Sequence, residues 1–434
     1  MTSLLLPSNT VQSYEKSAVD MRRVVSMIMG GGRGDRLFPL TTSRCKPAMC
    51  YGGAYRLIDI PISNAINSGC QKIYIITQFL SHSLHRHILE TYRPGTFYSG
   101  FIDILSVEEK PEARNWLQGT ADAVRQNIHY LRDISADYVL VLSGDQLYQM
   151  DFNKMLSFAY ETDADVVVAS LPVHESEATR LGILQVDERQ FITSFAEKPQ
   201  SKAELDDLRL STDQLSQLDI LNEDNKCFLG SMGIYLFKRQ ALIDLLQGDP
   251  REDFGKHLIP TQVSKGNIAT YIHQGYWEDI GTVGTFYQAN MALNSANPPL
   301  NCYDEQWRIC SQEVSLPGTR LSHVQMEQVM LCKGSVIEAK TITRSIIGPR
   351  SHIKKDTAIF DSYLMGNDNY AFCGHIGENC TIRKAIIDKQ VNIGKNVQLV
   401  NHKNLSYYDS NLVYVRDGII VVPRGVTIPD GFVF

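Results

Sequence analysis

Three features are missing from this 434-residue chain. No apolar run approaches the length that crosses a lipid bilayer, and residues 1–20 lack the basic start, apolar middle and small-residue cleavage site of a secretory signal. The nine cysteines include no C-x-x-C pair, which argues against a zinc knuckle and a disulfide framework. A formal net charge of -6 argues against broad electrostatic attraction to nucleic acid or to an anionic membrane. We therefore expect a cytoplasmic protein that holds any anionic ligand in a local basic pocket.

A glycine-rich segment follows the first apolar run, which spans residues 24–29. Glycine has no Cβ, so backbone N–H groups can close on an anion, and basic side chains from the same loop can neutralise a phosphate. The segment is not a P-loop, since no Gly-Lys-Ser/Thr ends it, and it lacks the third glycine of a dinucleotide fingerprint. An ordinary glycine-rich turn is the alternative interpretation. The pattern predicts a nucleotide phosphate site in the run Gly30-Gly31-Gly32-Arg33-Gly34-Asp35-Arg36, which Arg44, Lys46 and Pro47 follow within one short loop.

Short β-rich runs alternate with longer helical stretches from Val24 to about Gln288, which predicts an α/β domain with a mostly parallel sheet. Strands are expected at residues 24–29, 72–77, 138–142 and 165–171. Three of these runs end in polar or glycine residues, namely Gly30, Gln78 and Ser143-Gly144-Asp145. Because ligands of such sheets bind outside the carboxyl ends of the strands, we expect these residues to converge on one edge.

A different pattern begins after Asn297-Pro298-Pro299, which marks a domain boundary. Apolar residues recur there at a spacing near six, and a second set repeats the first after 40 residues: Val336, Ile342, Ile347, Ile353 and Ile359, then Ile376, Ile382, Ile387, Ile393 and Leu399. This spacing is typical of a parallel β-helix, whereas the alternative, a flat β-sandwich, would alternate with period two. We predict an N-terminal extension (1–22), a catalytic domain (23–296), and a linker with a β-helix (297–434) for regulation and oligomer contacts.

Two acidic residues are candidates for holding a metal ion. If a sugar phosphate attacks a nucleoside triphosphate, the attacking oxygen is already ionised, so the site needs cations and a metal-binding carboxylate rather than a general base. Asp145 follows an apolar run, and Asp279 lies between aromatic residues and a glycine turn. Hard oxygen ligands of this kind suit Mg²⁺. The alternative is that both are solvated turn carboxylates.

Two further segments are candidates for contacting substrates. Glu197 and Lys198 follow a β-rich run, where the lysine would bind a phosphate and the glutamate a sugar hydroxyl; an exposed salt bridge is the alternative. Gly119 and Thr120 begin a helix where a base or ribose could approach the backbone, although helix capping explains them almost as well. The three histidines within residues 82–87 do not share one helical face, so we expect a surface helix rather than a metal cluster.

These motifs closely resemble the glucose-1-phosphate adenylyltransferase family over nearly the whole chain. The block Tyr55-Arg56-Leu57-Ile58-Asp59-Ile60-Pro61 is specific to the adenylyl members, and it is joined by Gly30-Gly31-Gly32-x-Gly34-x-Arg36, Arg44-x-Lys46-Pro47-Ala48, Gly230-Ser231-Met232-Gly233 and Trp277-Glu278-Asp279-Ile280-Gly281-Thr282. The resemblance implies a Rossmann-like (GT-A-like) nucleotidyltransferase domain followed by a left-handed parallel β-helix. It also implies that ATP and α-D-glucose 1-phosphate give ADP-glucose and diphosphate with Mg²⁺, the committed step of glycogen or starch synthesis, in an allosterically regulated homotetramer.

The resemblance further implies roles for individual residues. The catalytic residues would be Arg36, Lys46 and Asp145, and the metal ligands Asp145 and Asp279. ATP would contact Gly30, Gly31, Gly32, Gly34, Gln78, Gly119 and Thr120. Glucose 1-phosphate would contact Gly182, Glu197, Lys198, Ser231 and Asp279. Small-metabolite effectors would bind near Arg44 and Arg56 in the catalytic domain, and near Lys389 and Arg424 in the β-helix.

Two alternative functions stay open. A non-catalytic regulatory subunit of a mixed tetramer would bind effectors without turnover, but such chains tend to lose the residues equivalent to Arg36 and Lys46, and both are present. An enzyme of the same fold that uses UTP or another sugar phosphate is not excluded, since base choice depends on backbone geometry. Ser43 and Pro423 stand where related chains carry basic residues, which leaves the identity of the activator open.

Overall fold

The computed structural model describes residues 20–32, 34–93, 100–106, 117–220, 226–371 and 374–434. Most of the expected N-terminal extension, residues 1–19, lies outside these ranges. Within them, no helix is both long enough and apolar enough to span a bilayer. The eight cysteines in these ranges are free thiols.

The strands before residue 300 lie close to their predicted positions. They are β1 (Val24–Met29), β2 (Cys50–Tyr51), β3 (Tyr55–Arg56), β4 (Lys72–Thr77), β5 (Phe101–Ser106), β6 (Tyr138–Ser143), β7 (Gln146–Tyr148), β8 (Val166–Val173), β9 (Gly182–Val186), β10 (Ile192–Glu197), β11 (Phe228–Lys238), β12 (Ile268–Ile272) and β13 (Trp277–Asp279). The predicted strands at 24–29 and 72–77 are confirmed without change, and those at 138–142 and 165–171 differ by two residues or fewer at each end.

Nine of these strands form one sheet in the order β10-β9-β11-β6-β1-β4-β5, with β8 pairing both β11 and β12. The pairs of β1 with β4, β1 with β6 and β4 with β5 are parallel, and β11 runs antiparallel to β6, β8 and β9. The apolar side chains of β1 are buried because both faces of the sheet are covered, which confirms the predicted α/β class. The carboxyl ends of β1 and β6 lie side by side, with Met29 opposite Ser143.

Helices connect and cover these strands. They are α1 (Asp59–Asn67), α2 (His82–Thr91), α3 (Thr120–Gln126), α4 (Ile128–Asp133), α5 (Phe152–Thr162), α6 (Glu175–Ala178), α7 (Lys202–Leu208), α8 (Thr212–Gln217), α9 (Arg239–Gly248), α10 (Ile259–Lys265) and α11 (Val283–Met291). Two short 3₁₀ turns, Asp35–Leu37 and Lys46–Ala48, lie in the loop after β1. Each of these turns carries one predicted catalytic cation, Arg36 or Lys46.

The rest of the chain forms a parallel β-helix. Its strands are β14 (Arg320–Leu321), β15 (Gln325–Leu331), β16 (Val336–Ile337), β17 (Thr341–Ile347), β18 (His352–Ile353), β19 (Ala358–Phe360), β20 (Tyr363–Leu364), β21 (Thr381–Arg383), β22 (Ala385–Ile387), β23 (Asn392–Ile393), β24 (Gln398–Leu399), β25 (Tyr407–Tyr408), β26 (Tyr414–Arg416), β27 (Ile419–Val422) and β28 (Thr427–Ile428). Apolar residues stack in register from coil to coil: Ile342 pairs with Ile359, Ile359 with Ile382, and Ile382 with Leu399. All four are fully buried, and Ile347, Ile353 and Ile393 between them are fully buried as well, so the residues at the predicted six-residue spacing face inward.

The β-helix packs directly against the α/β domain. Tyr363 of β20 is fully buried, and its hydroxyl donates to the carbonyl of Cys50 at 3.1 Å and accepts from the N–H of Gly53. The connecting segment crosses α1, where the Trp307 indole N–H donates to Asn64 at 2.7 Å. A Cβ at Gly53 would lie 2.6 Å from the sulfur of Cys332, so only glycine allows this close approach. The two domains therefore share one continuous apolar core.

Candidate active site

The glycine-rich loop closes over the carboxyl end of β1. The N–H of Gly30 donates to the carbonyl of Ile76 at 2.7 Å, and Gly31 lies against Gln78, the residue that follows the neighbouring strand β4. Gly34 has a φ of +68°, a conformation that favours glycine, and its carbonyl accepts from the Thr41 hydroxyl at 2.9 Å. A Cβ at Gly34 would lie 3.6 Å from the Cβ of Lys46. The loop thus brings the predicted phosphate-binding glycines, Gln78 and Lys46 to one edge of the sheet.

Lys46 lies between the two predicted metal-binding carboxylates. Its Nζ is 2.6 Å from Asp145 Oδ2 and 3.8 Å from Asp279 Oδ1. Pairing of β7 with β13 sets this arrangement, because Gln146 and Asp279 are opposite each other across the two strands. The Ser143 hydroxyl donates to the other oxygen of Asp145. Residues that are 99 to 233 positions apart along the chain are therefore gathered at one point.

The two carboxylates of this cluster have pKa shifts in opposite directions. Burial opposes ionisation of Asp145, but the Lys46 ammonium and the Ser143 hydroxyl outweigh it and hold the pKa of Asp145 below its usual range. Burial and the negative charge of Asp145 raise the pKa of Asp279. Burial lowers the pKa of Lys46, but the two carboxylates more than compensate, so the net effect is to raise it. Exposed Arg36 acts on both Lys46 and Asp279, which places its charge at the same cluster.

The paired carboxylates are a donor set that suits Mg²⁺. Repulsion between Asp145 and Asp279 raises the pKa of Asp279, and a divalent cation between them would relieve that repulsion. The side chains are 20% and 41% exposed, so bound phosphate oxygens and water can complete the coordination. Among the described residues, no group of three or more His, Cys, Asp or Glu side chains is placed to hold a metal.

A second cluster gathers around Glu197. A Cβ on Gly182 would lie 2.9 Å from Glu197 Oε2, and one on Gly255 would lie 3.1 Å from the same oxygen, so both glycines leave room for the carboxylate. Lys198 has a φ of +52°, and its Nζ is 3.1 Å from Glu197 Oε1. The ammonium group is half-exposed, which leaves it accessible to an anion. Three of the predicted sugar-phosphate residues are therefore adjacent.

Ser231 joins this cluster through a bulge in β11. The register of β11 against β8 shifts between Ser231 and Tyr235, and within the bulge the Gly233 N–H donates to the Ser231 hydroxyl at 3.2 Å. The Ser231 side chain also acts on the pKa of Tyr235, which it lowers. Burial, Glu197 and Asp253 together raise the pKa of Tyr235 above its usual range, against the lowering effect of Ser231. Sequence reasoning did not identify Tyr235 or Asp253.

One hydrogen bond joins the segments next to the two clusters, and the charge of Arg180 acts on the first cluster. Gln146, next to Asp145, donates from Nε2 to the carbonyl of Met232 at 2.8 Å, which ties the carboxylate segment to the bulge in β11. Arg180 is two residues before Gly182. Its positive charge lowers the pKa of both Asp279 and Glu278, although burial raises each of them overall. Arg180 was also missed, because an exposed arginine before a strand carries no distinctive sequence signal. Gln146 and Met232 thus join the chain segments next to the two clusters, and a single substrate site made of both clusters stays a prediction.

The helix start at Gly119 and Thr120 is closed by the chain itself. The carbonyl of Glu252 accepts from the N–H groups of Ala121 and Asp122, and it also contacts the position that a Cβ on Gly119 would occupy. The N–H of Phe254 donates to the Thr120 hydroxyl at 3.1 Å. These contacts explain the presence of Gly119 and Thr120 by their structural role at the start of α3. ATP binding by these two residues stays a prediction.

The histidines of α2 diverge, as expected, but not all of them face solvent. His87 is buried, and its Nε2 is 2.6 Å from Asp59 Oδ1, while His85 contacts the Thr77 hydroxyl. The expectation of a surface helix is therefore wrong for His87. Asp59 also accepts from the Tyr92 hydroxyl at 2.7 Å and from the N–H of Arg56 at 2.8 Å. These hydrogen bonds satisfy the buried carboxylate and connect α1 to α2.

The four predicted effector residues do not form two separate regions. Arg44 is buried and forms an ion pair with Asp388 of the β-helix, so its guanidinium is not open to a ligand. Lys389 and Arg424 both pair with Asp368 at 2.6 Å, and Asp368 also acts on Arg44. Three of the four cations thus meet where the two domains join. Arg56 donates to the carbonyl of Ala48 at 2.8 Å.

Comparison with known protein families gives two matches that together cover most of the chain. The family described as "Nucleotidyl transferase" matches residues 25–296, well over half of the chain. The family described as "GLGC left-handed parallel beta-helix domain" matches residues 315–433 and agrees with the expected handedness of the β-helix. The chain therefore belongs to the nucleotidyl transferase family, and its two domains together have the architecture that characterises glucose-1-phosphate adenylyltransferases.

Proposed function

We propose that this protein transfers the adenylyl group of ATP to α-D-glucose 1-phosphate and releases diphosphate. The observation that carries the proposal is the gathering of Lys46, Asp145 and Asp279 at one point, with Glu197 and Lys198 paired in a second cluster. The first group would bind the triphosphate and the metal, and the second would bind the sugar phosphate. The link through Gln146 and Met232 supports the simultaneous binding of both substrates.

The chemistry requires no general base. The phosphate of glucose 1-phosphate is ionised at neutral pH, so its oxygen attacks the α-phosphorus of ATP while the bond to diphosphate breaks. Lys46 and Arg36 stabilise the negative charge that develops on the leaving group. Asp145 and Asp279 would hold Mg²⁺, which when bound neutralises the phosphate oxygens and orients them.

The second cluster orients the nucleophile. Lys198 forms a charge-assisted contact with the phosphate, and Glu197 accepts from sugar hydroxyls. Gly182 and Gly255 keep the Glu197 carboxylate in place, because any side chain there would displace it. Ser231 and Tyr235 offer hydroxyls from the bulge in β11. Since only an already ionised phosphate is needed, correct placement supplies most of the rate enhancement.

We extend the proposal to regulation and assembly on the support of the family's architecture. Small anionic metabolites would bind where the domains meet and replace Asp368 as the partner of Lys389 and Arg424. Arg44 would contribute by holding the two domains together. The β-helix would carry contacts of a homotetramer, and the enzyme would act in the cytoplasm at the committed step of glycogen or starch synthesis.

One assay tests the proposed activity against its alternatives. Diphosphate release by the purified full chain is measured with ATP, UTP, GTP and CTP against several sugar 1-phosphates, with Mg²⁺, and with or without candidate effectors. The proposal expects the highest kcat/KM for ATP with glucose 1-phosphate. Preference for UTP or for another sugar phosphate would support a related nucleotidyltransferase. Effector binding without release from any pair would support the non-catalytic regulatory subunit.

A further inference from the structure

One turn of the β-helix touches both chain segments that carry the triphosphate site. This turn begins at Arg416, the last residue of β26, continues with Asp417 and precedes β27. Arg416 contacts the loop of Arg36, and Asp417 contacts the start of α11, which follows Asp279 by a short loop. We infer that Arg416 and Asp417 are positioning residues that fix the Arg36 turn relative to Asp279, an inference that rests on the proposed function.

Arg416 holds the Arg36 loop through Phe38. The Phe38 ring packs edge-on against Tyr414 with ring centroids 5.3 Å apart, and the Arg416 guanidinium lies 5.6 Å from the Phe38 centroid. Phe38 also closes the 3₁₀ turn that contains Arg36, since its N–H donates to the carbonyl of Asp35 at 3.1 Å. Only one residue separates Phe38 from Arg36. A displacement of the ring therefore moves the guanidinium that would stabilise the leaving diphosphate.

The geometry around Arg416 requires a guanidinium. Its side chain is 13% exposed, lies 4.0 Å from the centroid of Tyr407, and pairs with Asp409 at 2.7 Å. It also donates to the carbonyls of Tyr408 at 3.1 Å and Val415 at 2.8 Å. A lysine keeps the charge but has neither the planar face for stacking nor the fork of donors for these oxygens. The conservative change Arg416→Lys therefore isolates the positioning contacts.

Asp417 holds the other segment. Its Oδ2 accepts from the N–H of Gly284 at 3.0 Å, and a Cβ on Gly284 would lie only 2.7 Å from that oxygen. Gly284 is in the first turn of α11, where a negative charge is favoured by the helix dipole and by unpaired N–H groups. Thr282 caps the same turn from within the chain, so α11 begins between two acceptors. Asp279 is the last residue of β13, and only three residues separate it from α11, so the position of the start of α11 constrains the position of Asp279.

The experiment measures kinetics and local hydrogen exchange in the full chain. We expect Arg416→Lys and Phe38→Leu to lower kcat/KM for ATP by about tenfold or more, and to change KM for glucose 1-phosphate by less than about twofold. Amide exchange should quicken at residues 35–38 in both variants and at residues 283–285 in Asp417→Asn. Phe38→Tyr keeps the ring and should retain activity. A matched control is Arg383→Lys, because Arg383 stacks on Phe360 at 4.4 Å within the β-helix.

The outcomes separate positioning from a purely structural role. A lower unfolding temperature with unchanged kcat/KM for ATP would overturn the inference, as would unchanged exchange at both segments. An equal loss in Arg383→Lys would also overturn it, since any weakening of the β-helix would then suffice. If the wild-type chain releases no diphosphate from any substrate pair, the proposed function fails. The exchange measurements would still show whether the turn holds the two segments.

Discussion

The buried ion pair between the domains makes a prediction that can be worked out from the structure. Arg44 and Asp388 are 344 residues apart, and their side chains are only 4% and 2% exposed. The change Asp388→Asn removes the negative charge while keeping the size of the side chain. The Arg44 guanidinium then stays buried with a contact to the neutral Leu40 carbonyl at 3.2 Å, and the charge of Asp368, which also acts on Arg44, is already paired with Lys389 and Arg424.

The expected loss follows from this burial. Breaking a buried pair by removing one partner leaves an uncompensated charge, and such changes lower the free energy of unfolding by about 3–5 kcal/mol. Replacing both partners with apolar residues removes the stranded charge, so the double variant Arg44→Met with Asp388→Leu should regain most of that stability. The effects of the single changes Arg44→Met and Asp388→Leu on the free energy of unfolding are therefore expected to be strongly non-additive.

Urea unfolding followed by tryptophan fluorescence checks this prediction. The control is Arg344→Gln, because Arg344 pairs with Asp361 at 2.6 Å but its side chain is 51% exposed, and such pairs contribute roughly 0–1 kcal/mol. A loss below about 1 kcal/mol in Asp388→Asn would refute the argument. Equal losses of unfolding free energy in Asp388→Asn and in the double variant would refute it as well, because they would show that packing rather than charge causes the loss.

Three further predictions concern the site and the domain junction. Lys198→Ala should raise KM for glucose 1-phosphate by roughly ten- to a hundredfold with little change in kcat, because one charge-assisted phosphate contact is lost. Gly182→Ala should raise the same KM by about tenfold, since the new Cβ would lie 2.5 Å from the Phe195 ring and displace the neighbouring Glu197 carboxylate. Burial opposes ionisation of Asp368, but Lys389 and Arg424 hold its pKa below the usual range. Its contribution to stability is therefore full above pH of about 4 and is lost below it, so Asp368→Asn should destabilise the protein at pH 7 but progressively less as pH falls below about 4.

Each of these variants has a matched control. Lys202→Ala removes an exposed lysine at the start of α7, and an equal rise in KM there would contradict the role of Lys198. Gly248→Ala places a Cβ in open space, so it should leave KM unchanged. Asp356→Asn changes an exposed carboxylate in the β-helix. If the acid limb of stability for Asp368→Asn matched that for Asp356→Asn, the assigned ion pairs would be wrong.

Local sequence patterns predicted the parts of the fold that depend on neighbouring residues. The apolar run of β1 and the glycines after it define a buried strand and a tight turn, and Asp145 follows β6 as expected. The six-residue spacing predicted the stack through Ile342, Ile359 and Ile382, because each coil of a β-helix repeats the same inward position. These signals are contained within short windows of sequence.

Contacts between distant segments could not be predicted in this way. Tyr235 reaches the Glu197 cluster only because β11 carries a bulge, and no local pattern distinguishes that bulge from a regular strand. Arg44 reads as a free cation in the sequence, whereas the β-helix brings Asp388 against it and buries both. His87 likewise reads as a surface residue until Asp59 is placed beside it. Each case is decided by packing between elements.

The central claim is that the carboxylate held by Lys46 carries the metal for adenylyl transfer. The most direct test is kcat for diphosphate release from ATP and glucose 1-phosphate with Mg²⁺, in the wild-type chain and in Asp145→Asn. We predict a fall of at least about a hundredfold, the scale of losing one transition-state electrostatic contact, with the fold retained. The exposed carboxylate variant Asp103→Asn on β5 should keep the wild-type rate. A near-native rate in Asp145→Asn would contradict the account.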